Sequence, residues 1–345
     1  MTSPPLLASV VITTYNRCAA LRATLEALST QTLPPGTYEV LVVDNGSTDG
    51  TADMLAGYSR SHALRSFKFA ENQGISAARN RAIQHAAGEH LILLSDDVLV
   101  PDHFLQTHLS TLQQFPGHWV VGHSEQLEAL NRTPFGRYLT NLEAGFSQGW
   151  RSDEAAPGIW RTEWPTARNL SLPRADLERI GLFDEQFRNA CEDQDLAYRA
   201  YLELGTRFLY HTGIECIHND QSADLDRYCE AQRRGAADTV RFCRKYERWY
   251  AEHGPVALMS ANGPISRQDS PAVLLRKLFK ALLALPPLRL TLRLLTRMSE
   301  RARLPDRALG RMYRLMIALA IYRGWRQGLR SGVCAGQPSA EWREA

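Results

Sequence analysis

Through the first 123 residues, short β-branched apolar runs alternate with helical patterns, and that alternation leaves few folds open. Strand-like runs cover residues 8–13, 39–43, 65–69, 90–94 and 119–122. Between them lie helical patterns at 19–30, from near Thr51, at 76–87 and at 102–115. Such βαβα succession predicts an α/β, doubly wound, mainly parallel sheet with helices on both faces. Ligands of such sheets bind beyond the carboxyl ends of the strands, where Asp44, Asn72 and Asp97 fall.

Beyond residue 123 the pattern changes. Residues 133–165 lose periodicity and collect Gly, Pro and Trp, so they read as a long connection or lid. Helical patterns return at 175–180, 196–204 and 225–250, and strand-like runs at 207–211 and 213–217. The expected organisation is a catalytic-type domain over 1–253, with halves at 6–123 and 124–253. A linker at 254–270 and a basic amphipathic helical tail at 271–345 follow. The formal net charge of +3 conceals +11 in residues 271–345 and −8 in residues 1–270. The six cysteines are scattered without a CxxC pair, which points to reduced thiols rather than a disulfide framework or zinc site. With no basic segment ahead of the first apolar run and no stretch approaching a membrane span, a cytoplasmic location is expected. The sequons at Asn45, Asn131 and Asn169 read as chance matches.

Four carboxylate-bearing segments stand at the junctions of these elements: VLVVDNGSTDGT around Asp44, ENQGISAARNRAI over 71–83, LILLSDDVLVPD around Asp96 and Asp97, and FDEQFRNACEDQDLAYRA around Asp193. Together, and in this order, they resemble the family 2 glycosyltransferases over roughly residues 6–246. The resemblance implies a GT-A-like fold and an inverting hexosyl or deoxyhexosyl transfer. The donor would be a nucleotide-diphosphate sugar and the acceptor a hydroxyl of a glycan or lipid-linked glycan.

The residues supply candidates for each chemical need. Thr13, Thr14 and Tyr15 follow the first strand, and the Asp44 carboxylate can accept a base imide proton or ribose hydroxyls. The family pattern implies that Asp44 lies against the base, with Asn72 and Arg79 lining the same pocket. DNGSTDG is also a good turn and helix cap. Asp96 and Asp97 offer hard oxygen ligands suited to Mg²⁺ or Mn²⁺. The family's Asp-x-Asp triplet is Ser95-Asp96-Asp97 here, so the resemblance gives the metal to Asp97 and leaves Asp96 a nucleotide-side role. His218 in ECIHND resembles the family's metal-binding histidine, with Asp220 a weaker candidate. Glu192-Asp193-Gln194-Asp195 resembles the EDxD segment, making Asp193 the general base, its pKa raised by neighbouring Glu192. TARNLSLPR, containing Asn169, resembles the loop before the acceptor site. Asn169, Glu192 and Trp164 are therefore acceptor-side candidates, and Trp150 and Trp160 could stack on sugars or pack in the core.

In the tail, Arg289, Arg293, Arg297 and Arg301 recur every four residues as one helical stripe, with leucines on another face. Basic amphipathic helices suit an anionic membrane surface, while packing on the rest of the protein is the other reading. No nucleic-acid-binding module is recognisable. Two competing functions differ at specific residues. A catalytically silent nucleotide-sugar-binding scaffold is suggested by Ser95, against which Asp97 and Asp193 are both present. A sugar-phosphate nucleotidyltransferase needs a Gly-rich loop after the first strand, and VITTYNR lacks it.

Overall fold

The computed structural model describes residues 6–58, 64–219, 223–246, 262, 265, 267 and 269–330. Strands β1 (Ala8–Thr14), β2 (Tyr38–Asp44), β3 (Leu64–Lys68) and β4 (His90–Ser95) pair in parallel in the order β3-β2-β1-β4. Helices α1 (Cys18–Leu28), α2 (Thr51–Tyr58), α3 (Ile75–Ile83) and α4 (Phe104–Gln114) connect or follow them. The inner strands are apolar on nearly every residue because both sheet faces are covered. Val10 and Ile12 pack with Leu21, Leu25 and Phe104 on one face, whereas Val11, Leu41 and Val43 pack with Ala78 and Ala82 on the other.

The sheet continues past β4 with mixed polarity. Its remaining strands are β5 (Val98–Leu99), β6 (His118–Gln126), β7 (Glu154–Ala156), β8 (Ile159–Thr162), β9 (Asn169–Pro173) and β10 (Arg207–His218). β9 lies antiparallel between β4 and β6, and β10 runs parallel to β6 and antiparallel to β8 and β5. The expected α/β architecture is therefore present, with antiparallel pairs added at its second half. The two strand-like runs at 207–217 form one strand, irregular between His211 and Glu215.

Residues 133–165 are not an unstructured lid. They hold α5 (Pro134–Gly149) and the β7–β8 hairpin. Phe135, Tyr138, Leu139 and Leu142 do stand at helical spacing in α5, although only Phe135 and Gly136 are buried; the surrounding Gly, Pro and Trp masked that period in the sequence. Helices α6 (Arg174–Ile180) and α7 (Glu192–Leu204) follow, as expected.

The chain divides into two compact units: residues 1–131, 139–188 and 192–222 form the first, and 132–138, 189–191 and 223–345 the second. The sheet belongs to the first. The second contains α8 (Leu225–Lys245), α9 (Pro271–Leu283), α10 (Pro286–Arg301) and α11 (Asp306–Arg330). This division falls near 222 and groups α8 with the C-terminal helices. Gly328 brings α11 close to Ala237 and Val240 of α8, where an added Cβ would stand 3.0–3.2 Å from them. Tyr313 is fully buried against Phe135 and Tyr138, and its hydroxyl donates to Glu300 (2.7 Å).

Candidate active site

The loops after β1 and β2 are tied together by their own polar residues. Asn16 N donates to Ser47 Oγ and Thr48 N donates to Asn16 Oδ1, each at 2.8 Å. Asn45 Oδ1 accepts from Gln73 N (2.9 Å), and Gly46 comes so near the next loop that a Cβ would lie 2.6 Å from the Glu71 carbonyl carbon. With φ at +83° as well, position 46 suits glycine alone. The cap reading of DNGSTDG also holds, since Asp49 accepts from Thr51 at the start of α2. Asp44 itself is 1 % exposed at the end of β2; its Oδ1 accepts from Ser47 N at 2.8 Å. Its Oδ2 is buried with no hydrogen-bond partner. A buried carboxylate oxygen without a donor is costly, so a ligand donor at this position would be strongly favoured.

At the end of β4, Thr24 Oγ1 donates to Asp96 O and accepts from Val98 N, fixing the turn that carries the Asp pair. The short β5–β10 pairing then sets His218 opposite Val98. His218 Nε2 consequently stands 3.1 Å from Asp97 Oδ2, although 121 residues separate them. Gln126 Nε2 donates to His218 Nδ1 (3.0 Å), so Nε2 is the nitrogen that carries a proton toward Asp97. Arg17, just beyond β1, pairs with Asp97 and lies 3.5 Å from Asp96. Burial acts to raise the pKa of Asp97, but the hydrogen bond from His218 and the charges of Arg17 and Arg168 hold it well below the usual carboxylate range. Asp96 is pushed the other way, to about 7, by burial and by the Asp97 charge. One of the two carboxylates is thus a firmly held anion and its neighbour a protonatable group.

Asp193 occupies the first turn of α7. Its Oδ2 accepts from Ala167 N (3.2 Å) and its Oδ1 from Gln194 N (3.0 Å). Burial, then the Glu192 charge, raise its pKa to about 6, with Arg79 opposing them. Beside it Arg79 Nη1 donates to Glu192 Oε1 at 2.7 Å, and the Arg79 guanidinium lies over the Phe183 ring at 5.3 Å. A carboxylate of this kind is a stronger base at neutral pH than an exposed aspartate.

The first unit therefore presents a buried carboxylate oxygen without a partner, an acidic pair with a facing histidine, and an aspartate of raised pKa. Residues 9–140 match the profile of Glycosyl transferase family 2. This chain carries a family 2 glycosyltransferase domain. It is 33 % identical over 219 residues to a validoxylamine A glucosyltransferase of Streptomyces hygroscopicus subsp. limoneus, a match covering 57 % of this chain and 48 % of that protein. It is 26 % identical over 281 residues to the uncharacterized glycosyltransferase YfnE of Bacillus subtilis, covering 69 % of this chain and 70 % of that one. The chain thus spans about half the length of the Streptomyces relative. Among solved structures, a mannosyltransferase of Pyrobaculum calidifontis in complex with GDP-Man and Mn²⁺ superposes with a TM-score of 0.58 at 20 % identity, over 94 % of this chain and 89 % of that chain. That likeness establishes the shared fold.

Within the glycosyltransferase domain, the sequence candidates separate. Asp44, Asp96 and Asp97 stand at or just beyond the ends of β2 and β4, Thr13 lies within β1 and Tyr15, nearly half exposed, just beyond it. Asn72 helps to build its own loop, since its Oδ1 accepts from Gly74 N (3.0 Å) and Asn45 Nδ2 (3.3 Å). Arg79 pairs with Glu192, and both side chains are buried in that ion pair. Asn169 is 1 % exposed, accepts from His108 Nε2 (2.8 Å) and is oriented toward the Ile214 carbonyl, so it braces the sheet. Trp164 is exposed at 42 %, whereas Trp150 packs on Tyr210. Asp220 lies outside the described residues. Sequence reasoning missed Arg17 and the Arg168–Glu143 pair (3.2 Å). Both arginines occur in quoted segments, VITTYNR and TARNLSLPR, but nothing local reveals that they converge on the charge of Asp97.

Proposed function

We propose that the chain transfers a sugar from a nucleotide-diphosphate donor to a hydroxyl of a glycan or lipid-linked glycan, with inversion at the anomeric carbon. The observation that carries this reading is the buried, donorless Oδ2 of Asp44 at the carboxyl end of β2. A base imide or ribose hydroxyl supplies the missing hydrogen. In the reaction, Asp193 takes the acceptor proton as the acceptor oxygen attacks the anomeric carbon opposite the departing diphosphate. The attacking hydroxyl acidifies as the new bond forms, which suits a base with a pKa of about 6.

The donor set at Asp97 and His218, a carboxylate and an imidazole facing each other at 3.1 Å, fits a divalent ion that takes the place of the proton on His218 Nε2. No third His, Cys, Asp or Glu joins them in a metal-sized cluster among the described residues, so diphosphate oxygens and water would complete the shell. A bound Mg²⁺ or Mn²⁺ there would supply Lewis-acid charge to the leaving diphosphate, as Mn²⁺ accompanies the sugar nucleotide in the Pyrobaculum protein. Arg17 adds a fixed cation at the same carboxylates. No helix among the described residues is long and apolar enough to cross a membrane, and a cytoplasmic, peripheral enzyme is the location this reading favours.

Thermal melting of the protein with a panel of nucleotide sugars and Mn²⁺ tests the proposal. One selective donor should raise the Tm, since binding to the native state alone stabilises by about 2.7 kcal/mol at a hundredfold excess over Kd. Asp44→Ala should abolish that rise. Stabilisation by no nucleotide sugar, or by all equally in the Asp44→Ala protein, overturns the reading.

A further inference from the structure

The C-terminal helices expose leucine faces as well as arginines, and part of their charge is tied up in ion pairs. Arg293 and Arg297 both pair with Asp226 of α8, Arg297 at 2.8 Å. On α9, Lys277 is 5 % exposed and donates to both oxygens of Asp269 at 2.7 Å, and Lys280 donates to Asn262 Oδ1 at 2.8 Å. These cations are committed within their own unit. Apolar residues are left outside beside the remaining arginines.

On α9, Leu275, Leu278, Phe279 and Leu282 are 50–68 % exposed at i, i+3, i+4, i+7 spacing, which makes one continuous helical face. On α10, Leu290, Leu294 and Met298 recur every four residues and are 51–63 % exposed, with Leu285 exposed at the joint between the helices. Apolar residues scattered singly over a surface need no explanation, but aligned faces on two consecutive helices mark an interaction surface. Residues 271–330 carry 14 Lys/Arg against 2 Asp/Glu, and Arg276, Arg301, Arg303, Arg307 and Arg311 are exposed.

We propose that the leucine faces of α9 and α10 dock this protein on the surface of an anionic lipid bilayer. The leucines and Phe279 enter the boundary between headgroups and acyl chains, and the exposed arginines of the same unit meet lipid phosphates. The excess of positive charge selects this occupant over a second copy of the chain, which would bring the same +12 against itself. The inference specifies the peripheral location favoured above and is independent of the transfer chemistry, because vesicle binding is read without turnover. It also revises which residues carry the contact: Arg293 and Arg297 orient α10 through Asp226 and leave the lipid contact to the leucines.

Co-sedimentation of the full chain with phosphatidylcholine vesicles, with and without phosphatidylglycerol, tests this. Wild type should partition to the anionic vesicles, more weakly at 1 M than at 0.1 M salt, as screening shortens from about 10 to 3 Å. Leu275→Glu combined with Phe279→Glu and Leu294→Glu should lower partitioning at least tenfold with Tm and donor-induced stabilisation unchanged, because these side chains pack on little. Replacement of the same three by alanine should give an intermediate loss. Arg301→Gln with Arg307→Gln should remove the preference for anionic lipid. Wild-type partitioning by the triple Glu variant overturns the proposal. So does a wild-type dimer that the triple variant converts to monomer with no vesicle binding in either, which would make a second copy the occupant.

Discussion

Asp193→Asn should make the protein more stable and nearly inactive at once, because the structure places an ionised carboxylate where burial and a like charge oppose it. With its pKa at about 6 against an ordinary 3.8, the folded chain holds the Asp193 proton more tightly than the unfolded chain does. Stability therefore falls as pH rises between those two values, and above pH 6 the full penalty is present. The displacement corresponds to about 3 kcal/mol at neutral pH. Asparagine removes the charge, and its single side-chain oxygen can keep the bond from Ala167 N while that from Gln194 N is lost, at a cost of about 1 kcal/mol. The net expectation is a gain of about 2 kcal/mol at pH 7.5 that shrinks at pH 5 and vanishes near pH 4. Removing the base should meanwhile lower turnover roughly 10²–10⁴-fold. Thermal unfolding at the three pH values gives the first quantity, and nucleoside diphosphate release in the presence of donor and acceptor gives the second. Wild-type activity should itself fall as pH drops through about 6. A variant that melts lower than wild type at pH 7.5, or that keeps more than a tenth of its turnover, refutes the assignment.

Asp97→Ala should lose divalent-ion-dependent donor stabilisation, while Ser95→Ala should retain most of it. Full activity after EDTA treatment would show that Arg17, already paired with Asp97, neutralises the diphosphate without a metal. Asn169→Ala strips the fully buried His108 of one partner; burial holds that imidazole's pKa down to about 3, so it stays neutral and in need of its bonds. The substitution should cost about 1–3 kcal/mol in chemical unfolding and leave acceptor KM unchanged. A raised KM without destabilisation would restore Asn169 to the acceptor side.

Asp44, Asp97 and Asp193 could be located from sequence because each sits where an apolar strand ends or a helix begins, and the strands announce themselves by being buried on both faces. The same reasoning predicted α1 to α4 closely, since their apolar faces pack on that sheet. It passed over α5, whose Phe135, Tyr138, Leu139 and Leu142 stand at helical spacing but lie among the Gly, Pro and Trp that made 133–165 read as a connection. The bracing position of Asn169 was not legible, because a polar residue in a family-like loop and a polar residue bracing a sheet look alike in one dimension. Its partners, His108 and Ile214, arrive from α4 and β10. The Asp97–His218 pair likewise depends on β5 meeting β10, and the Arg79–Glu192 pair joins residues 113 positions apart. In the tail, helical spacing alone separated an arginine stripe from a leucine stripe but was silent on which faces outward. Packing decided that: Asp269 draws Lys277 inward, Asp226 pairs with Arg293 and Arg297 near the surface, and the leucines of α9 and α10 stay exposed. Sequence thus determined the elements and the residue types at their ends, where local periodicity and backbone propensity act. Tertiary structure decided which charges share a space, because Coulomb and desolvation energies depend on distance and burial rather than order along the chain.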